Sequence, residues 1–392
     1  MPHVSVQRMK RGVVSRTAGA LAACAALGFA CGGGAPAAPA SPAANVTSTA
    51  PARAVTIEAI RPIPASSAPA LVRPDPPGLL EGTLIAGTAE PGRCPEPYVT
   101  PVGPPPTPAE DATPAPERIA HAQAGDVPRP TATPALPPLA PDAALEDRIR
   151  ARLGGDDGHY AVVVKDLRDG RGVEIDAGRV FYAASLFKLE VMYEIFAQRA
   201  AGLLDFGQQY VASDYYSGFD LGPHLIGQCA TASIGDLLGA MMSVSDNVAA
   251  VMLQDRAGAG NINDGMASLG LEQTRLTEDD SLPATAGDIA RLMEVIARGL
   301  AVDRDASKGM ADLLATEKIN DRIPQGLPDG TLVAHKTGNW DKATHDAGIV
   351  YGKRSAYVIV LMSDIELDGD AAGAAAMEAD ITKIAFDYFE GP

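Results

Sequence analysis

Histidine, cysteine and tryptophan are scarce in this chain, at six, four and one in 392 residues. No His-x-x-x-His or Cys-x-x-Cys spacing occurs, so the sequence spells out no metal site, and no cofactor is expected. Positive charge is also short. Lys and Arg number 32 against 49 Asp and Glu, a net charge of −17. The deficit is uneven: residues 1–140 carry 10 basic against 9 acidic side chains, and the remaining 252 carry 22 against 40. So acidic a C-terminal part has no electrostatic case for binding nucleic acid or an anionic membrane surface. A substrate carboxylate there has to be held by a few local cations. The apolar run at 17–30 is too brief to cross a bilayer as a mature helix.

That run follows Arg8, Lys10, Arg11 and Arg16, and the combination reads as an export segment covering residues 1–31. Two cysteines are candidates for a bacterial lipid. Cys24 closes Leu21-Ala22-Ala23-Cys24, whereas Cys31 has the better apolar length before it and Gly32-Gly33-Gly34 behind it. Either predicts an extracytoplasmic protein held at the bacterial membrane by an N-terminal lipid anchor; a cleaved signal peptide is the plainer alternative. Of the other two cysteines, Cys94 and Cys229 can pair in an oxidising compartment. The reading preferred here makes Cys229 a small buried residue and leaves Cys94 free or paired elsewhere.

Proline is plentiful but misplaced for a globular fold. Of 32 prolines, 25 fall in 31–140. Residues 32–140 are therefore expected to be a disordered, locally extended tether that buries too little apolar surface to offset its ordering entropy, with at most a short strand at 54–60. The folded domain is expected at 141–392.

Within that domain the periodicities are clear. Residues 143–153 read as a helix, 159–167 and 172–175 as a hairpin turned by Arg168-Asp169-Gly170, and the long central block as helical. Residues 347–351 and 356–362 are β-rich apolar runs, and 371–389 closes with a helix. Strands at both ends with helices between predict an α+β fold: an antiparallel sheet flanked by terminal helices, plus an inserted all-helical lobe. Nothing argues for an oligomer, so a monomer is expected.

Three short motifs carry chemistry: Ser185-Leu186-Phe187-Lys188, Ser245-Asp246-Asn247, and Lys336-Thr337-Gly338. A serine hydroxyl is barely ionised at neutral pH, so attack on an amide needs a base within hydrogen-bond reach. A lysine three residues along a helix lies on the same face. It acts as a base only if burial and a neighbouring cation lower its pKa, and Lys336 is the candidate cation. Ser245 is placed to relay the proton to the leaving nitrogen, Asn247 to bind the substrate amide, and Thr337 a carboxylate. The apolar stripe Leu186, Leu189, Tyr193 and Phe196 buries the helix and leaves Ser185 in its first turn. If the strand carrying Lys336 lies beside the serine, the main-chain N–H groups of Ser185 and Asn339 form an oxyanion hole.

In this order and spacing the three motifs resemble the penicillin-recognising serine hydrolases, closest to the class A β-lactamases, over about residues 143–389. The resemblance implies the same architecture and an acyl-enzyme on Ser185. It assigns catalytic roles to Ser185, Lys188, Ser245 and Lys336, and substrate binding to Asn247, Thr337, Gly338 and Asn339. The substrate it implies is a β-lactam or a peptidoglycan stem peptide.

The sequence also departs from that family. Class A enzymes activate the deacylating water with a glutamate, in a Glu-x-x-Asn pattern, on a loop after the Ser-Asp-Asn helix. Here only residues 277–284 separate Thr274-Arg275-Leu276 from Thr285-Ala286-Gly287-Asp288, and the acidic candidates are Glu278, Asp279 and Asp280. Glu317-Lys318-Ile319-Asn320 fits the pattern but comes later and is read as unrelated. A carboxylate-binding arginine beyond the Lys-Thr-Gly strand is missing, and Lys342 is the substitute. His345-Asp346 resembles distant class A members in which the aspartate is structural. Tyr215 or Tyr216 is a candidate wall of the cleft. Three readings follow: a β-lactamase with an altered base, a D-alanyl-D-alanine peptidase that β-lactams acylate, and a penicillin sensor without turnover.

Overall fold

The computed structural model describes residues 70–75, 85, 94, 126–219, 222–365 and 371–391. The expected export segment, both candidate lipid cysteines and the possible strand at 54–60 lie outside the described residues.

In chain order the elements are β1 (Ala140–Pro141), α1 (Ala143–Leu153), β2 (Tyr160–Asp166), β3 (Arg171–Ile175), β4 (Val180–Tyr182), α2 (Phe187–Ala200), β5 (Gln209–Val211), β6 (Thr231–Ser233), α3 (Ile234–Ser243), α4 (Asn247–Ala257), α5 (Ala259–Ser268), β7 (Pro283–Thr285), α6 (Ala286–Ala297), α7 (Arg304–Leu314), β8 (Leu332–Trp340), β9 (Ala343–Tyr351), β10 (Ala356–Ser363) and α8 (Ala371–Glu390). Six strands form one sheet in the order β1-β3-β2-β10-β9-β8. Its long ladders are antiparallel, as expected, but β1 joins β3 in parallel and makes the sheet mixed.

Both faces of this sheet are covered, which explains why its strands read as continuous apolar runs. Alternate residues serve opposite cores. Val162 and Val164 of β2, with Ile359 and Leu361 of β10, meet Leu145, Ile149 and Leu153 of α1 and Ile381, Ala385 and Phe389 of α8. Ala161, Val163, Val358 and Val360 instead join the core of the helical lobe, which includes Ile289 and Met293 of α6. The terminal helices and the inserted lobe are thus the two layers that the sheet separates.

Helix α2 departs from the amphipathic stripe expected of it. Every residue from Lys188 to Gln198 is buried, including Lys188, Glu190, Glu194 and Gln198. It is a central helix, with the lobe packed around it. The cost falls on its carboxylates. Burial, with the Asp288 charge adding to it, pushes the Glu190 carboxyl up to about 8, and its Oε2 has no hydrogen-bond partner. The unfolded chain releases this proton near pH 4.5 and the folded protein only near 8, so stability falls as pH rises across that window. At about 1.36 kcal/mol per unit the loss is of order 4–5 kcal/mol, and it is complete above the window. Glu190→Gln is expected to flatten the urea-unfolding midpoint over this range; an unchanged pH slope would show that another group sets it.

The expected domain boundary at 141 does not coincide with the start of packed structure. Val72 and Val127 are buried in the lobe core, and the Val72 N–H donates to Ala297 O at 2.7 Å. Arg129 donates to Glu194 Oε2 at 2.6 Å and to Asn261 O at 2.7 Å. Ile85 pairs with Ile226 as an isolated parallel bridge. Cys94 and Cys229 are joined as a disulfide, which corrects the expectation that they remain apart. Composition is a poor guide to these residues because a few apolar and charged side chains dock on a surface folded elsewhere in the chain.

Candidate active site

Ser185 lies in a 3-10 turn, Ala184–Leu186, that runs directly into α2, so it sits just ahead of the helix rather than in its first turn. Ala184 takes a left-handed φ of 47°, a conformation that side-chain-bearing residues adopt at a cost and that persists where surrounding structure over-determines it. Strand β8 approaches this turn closely. A Cβ at Gly338 would stand 3.2 Å from Ala183 O and 3.2 Å from Leu186 Cγ, so glycine permits the contact. Lys336, Thr337 and Gly338 lie inside β8, the edge strand of the sheet, with no neighbouring strand among the described residues on the side away from β9.

The Ser245-Asp246-Asn247 motif divides its work. Asp246, fully buried, caps α4 by accepting from Ala249 N at 2.9 Å, and its other oxygen accepts from Leu225 N at 2.6 Å and Ile226 N at 3.0 Å. Its neighbours on either side turn toward Lys188. Ser245 adopts a φ of 63°, which brings both its carbonyl and its hydroxyl to that lysine.

Lys188 Nζ is the centre of the arrangement. It lies 3.0 Å from Ser185 Oγ, 2.9 Å from Ser245 Oγ, 2.6 Å from Ser245 O and 2.7 Å from Asn247 Oδ1. A neutral amine here would offer its two N–H groups to the carbonyl and amide oxygens, which can only accept, and its lone pair to a serine hydroxyl. Burial of the lysine, followed by the charge of Lys336, holds its pKa well below the usual lysine range, while Asp246 and Glu317 pull the other way. The neutral form therefore becomes available at lower pH than for an exposed lysine.

Lys336 is fully buried and forms an ion pair with Glu317, and it also donates to Thr337 O at 3.2 Å. The Glu317-Lys318-Ile319-Asn320 segment, read from sequence as unrelated, thus lies directly behind the site. Asn320 Oδ1 meets His335 Nε2 at 3.1 Å, and His335 Nδ1 bonds Asp346 at 2.9 Å. Arg322 was missed altogether. Its guanidinium, 4% exposed, donates to Asn339 Oδ1 at 2.5 Å and to His345 O at 3.1 Å, which puts a cation beside the strand predicted to face substrate. Its position before the Lys-Thr-Gly strand rather than after it hid it from a search downstream. Lys342, the expected substitute, is exposed in the β8–β9 turn.

His345 is fully buried and bonded through Nε2 to Tyr182 O at 2.9 Å and through Nδ1 to Ser363 N at 3.2 Å. Burial pushes its pKa down to about 4, so the ring is neutral at physiological pH and props the turn rather than meeting solvent. Asp346 accepts from Ile323 N at 3.1 Å besides its bond to His335. The aromatic candidates separate as well. Tyr216 is buried and donates to Asp255 at 3.1 Å, whereas Tyr215 is 58% exposed.

The short loop is self-contained. Asn263 brackets Leu276 through both main-chain groups, Thr277 Oγ1 meets Ser281 Oγ at 3.1 Å, and β7 pairs with β4. Its exit touches the nucleophile's turn, where Ala183 N donates to Leu282 O at 2.8 Å. Two of its three carboxylates face solvent. Glu278 and Asp279 are exposed, and Asp279 bonds within the loop to Ser281 N at 3.2 Å. Asp280 is half-buried, and burial with the Asp279 charge raises its carboxyl.

A serine and a buried lysine of lowered pKa at hydrogen-bond distance, beside a glycine-bearing edge strand, mark a serine hydrolase. Comparison with known proteins narrows the class. The model of the Beta-lactamase enzyme family matches residues 144–389, and the chain belongs to that family. A β-lactamase of Streptomyces fradiae is 26% identical over 266 residues, 62% of this chain and 85% of the relative. Among solved structures, PBP-A superposes with a TM-score of 0.60 at 21% identity, covering 66% of this chain and 100% of that one. A β-lactamase from Sphaerobacter thermophilus DSM 20745 gives 0.58 at 21% identity, covering 63% and 97%. At those identities the two structures speak for the fold alone, which is the β-lactamase/transpeptidase-like α+β arrangement.

Proposed function

We propose that this protein forms an acyl-enzyme on Ser185 with β-lactams and hydrolyses it slowly. The observation that carries this reading is the bonding of Lys188 Nζ to both serine hydroxyls together with the two purely accepting oxygens of Ser245 and Asn247. Lys188 takes the Ser185 proton as the hydroxyl attacks the lactam carbonyl. Ser245, 2.9 Å from the same nitrogen, returns a proton to the leaving nitrogen as the C–N bond breaks. The N–H groups of Ser185 and Asn339 receive the oxyanion. Lys336 holds Lys188 low in pKa, and Thr337 with Arg322 binds the substrate carboxylate.

Slow hydrolysis follows from the loop. Breakdown of the ester needs a base on a water beside the acyl carbonyl, and two of the loop's three carboxylates, Glu278 and Asp279, are exposed to solvent. The same observation favours a second reading, a D-alanyl-D-alanine peptidase acting on peptidoglycan stem peptides. A mutant of PBP-A is known as an acyl-enzyme complex with penicillin G, which lends support to β-lactam binding on this fold. We also propose an exported, lipid-anchored monomer.

Intact-mass spectrometry after mixing with benzylpenicillin tests the assignment. One adduct per chain, mapped to Ser185, is expected to persist well beyond the seconds typical of fast turnover. Disappearance within seconds would instead make the protein an efficient β-lactamase with a base elsewhere, and no adduct on folded protein would remove the assignment. Release of D-alanine from a stem peptide would favour the peptidase.

A further inference from the structure

The loop at 225–227 is bonded from two sides. Toward the site, Leu225 N and Ile226 N donate to the Asp246 carboxylate at 2.6 and 3.0 Å. Away from it, Ile85 N donates to Leu225 O at 2.7 Å and Gly227 N donates to Ile85 O at 3.1 Å. Two residues further on, Cys229 forms the disulfide with Cys94. Cys229 is itself fastened, with a left-handed φ of 59° and its N–H donating to Ala212 O at 2.8 Å. A segment far upstream of the folded domain therefore reaches the residue next to Ser245 through two layers of hydrogen bonds and one covalent bond.

We infer that Ile85 and the Cys94–Cys229 disulfide form a positioning strap for Ser245, so that acyl-enzyme formation depends on the oxidation state of that disulfide. This rests on the acyl-enzyme reading above. Ser245 holds a left-handed backbone that costs free energy and survives only where neighbours over-determine it. Its immediate neighbour Asp246 is oriented by three main-chain N–H groups, two of them from the 225–227 loop. Without Ile85 that loop keeps its bonds to Asp246 but loses two opposing ones, and the carboxylate with its attached Ser245 is free to shift. Lys188 draws two of its four contacts from Ser245, so a displacement of about 1 Å is felt directly at the base, where such errors can cost about a hundredfold in rate.

The redox step balances simply. A dithiol reductant supplies two electrons and two protons, the Cys94–Cys229 S–S bond breaks to two thiols, and the reductant closes to its own disulfide. Cys94 is only half-buried, which gives the reductant a path to the bond.

The test measures the acylation rate constant for a fluorescent penicillin at saturating concentration, on the full chain, well below its unfolding temperature. Oxidised protein, protein reduced with dithiothreitol, the Cys94→Ser/Cys229→Ser variant, Ile85→Pro and Ile85→Val are compared. Reduction, the double serine variant and Ile85→Pro, which lacks the N–H that meets Leu225, are expected to lower the rate by about tenfold to a hundredfold. Reoxidation should restore it, and Ile85→Val should retain it. A strap that only stabilises would lower the unfolding temperature and leave the rate within twofold of the oxidised protein, and that result overturns the inference. Failure of the oxidised wild type to be acylated at all would overturn the acyl-enzyme reading instead, and the strap's role with it.

Discussion

Lys188→Ala is expected to slow acylation of Ser185 by about 10²–10⁴-fold, the usual range for removing a positioned general base. The variant loses the amine that contacts both serine hydroxyls. Its effect on rate also carries a pH signature. On the proposed mechanism the acylating form is the neutral amine, so the wild-type rate is expected to rise with pH through the lowered Lys188 pKa and level off above it. The variant should show no such rise. Stopped-flow fluorescence with a fluorescent penicillin across pH, with far-UV circular dichroism as a folding control, checks both parts. A wild-type rate in the folded variant would take the lysine out of the mechanism. A rise displaced to the range of an exposed lysine would show that neither burial nor Lys336 tunes it.

The second large effect concerns stability. Arg129→Met is expected to cost about 3–5 kcal/mol, because it strands Glu194 as an unpaired carboxylate in the core of the lobe. Glu194 sits on the nucleophile's helix with no exposure, accepting from Arg129 at 2.6 Å and from Gln198 at 3.0 Å. Burial raises its carboxyl even with Arg129 and Gln198 opposing, so the pair does not fully offset its own desolvation. Glu194→Gln should therefore cost far less than Arg129→Met, and the double variant should recover most of the loss. Urea unfolding of the three proteins decides it. A loss below about 1 kcal/mol for Arg129→Met would place this contact with ordinary surface ion pairs.

Arg129 also shows where reading the chain by composition fails. It stands among prolines, in a stretch whose average says tether, yet one guanidinium there completes a buried network running through Glu194 and Gln198 to Arg256. A window average weighs residues equally, whereas the energy resides in a few contacts. Arg322 and Glu317 were hidden for a related reason. Arg322 lies in no motif and Glu317 in a Glu-x-x-Asn pattern set aside for its late position, and each matters through a partner on β8, Asn339 and Lys336 respectively, 17 and 19 residues along the chain.

Local signals were far more legible. The continuous apolar runs of β2 and β10 and the terminal helices α1 and α8 are where patterning predicted them, since strands buried on both faces and helices packed against them leave direct marks on the sequence. Helix α2 reads from sequence by its apolar stripe alone, which does not show that Lys188, Glu190 and Glu194 are also inside.

The sequence by itself determined the α+β class, the run of elements and the three motifs from which an acyl-transfer site is proposed, because propensity, periodicity and side-chain chemistry are local properties. Only the tertiary structure decided which charges face one another: Lys336 against Glu317, Arg322 against Asn339, Arg129 against Glu194, and Cys94 bonded to Cys229. Those pairings depend on distances across the fold, and the electrostatic and hydrogen-bond terms that set the Lys188 base and hold Ser245 in place act through space rather than along the chain.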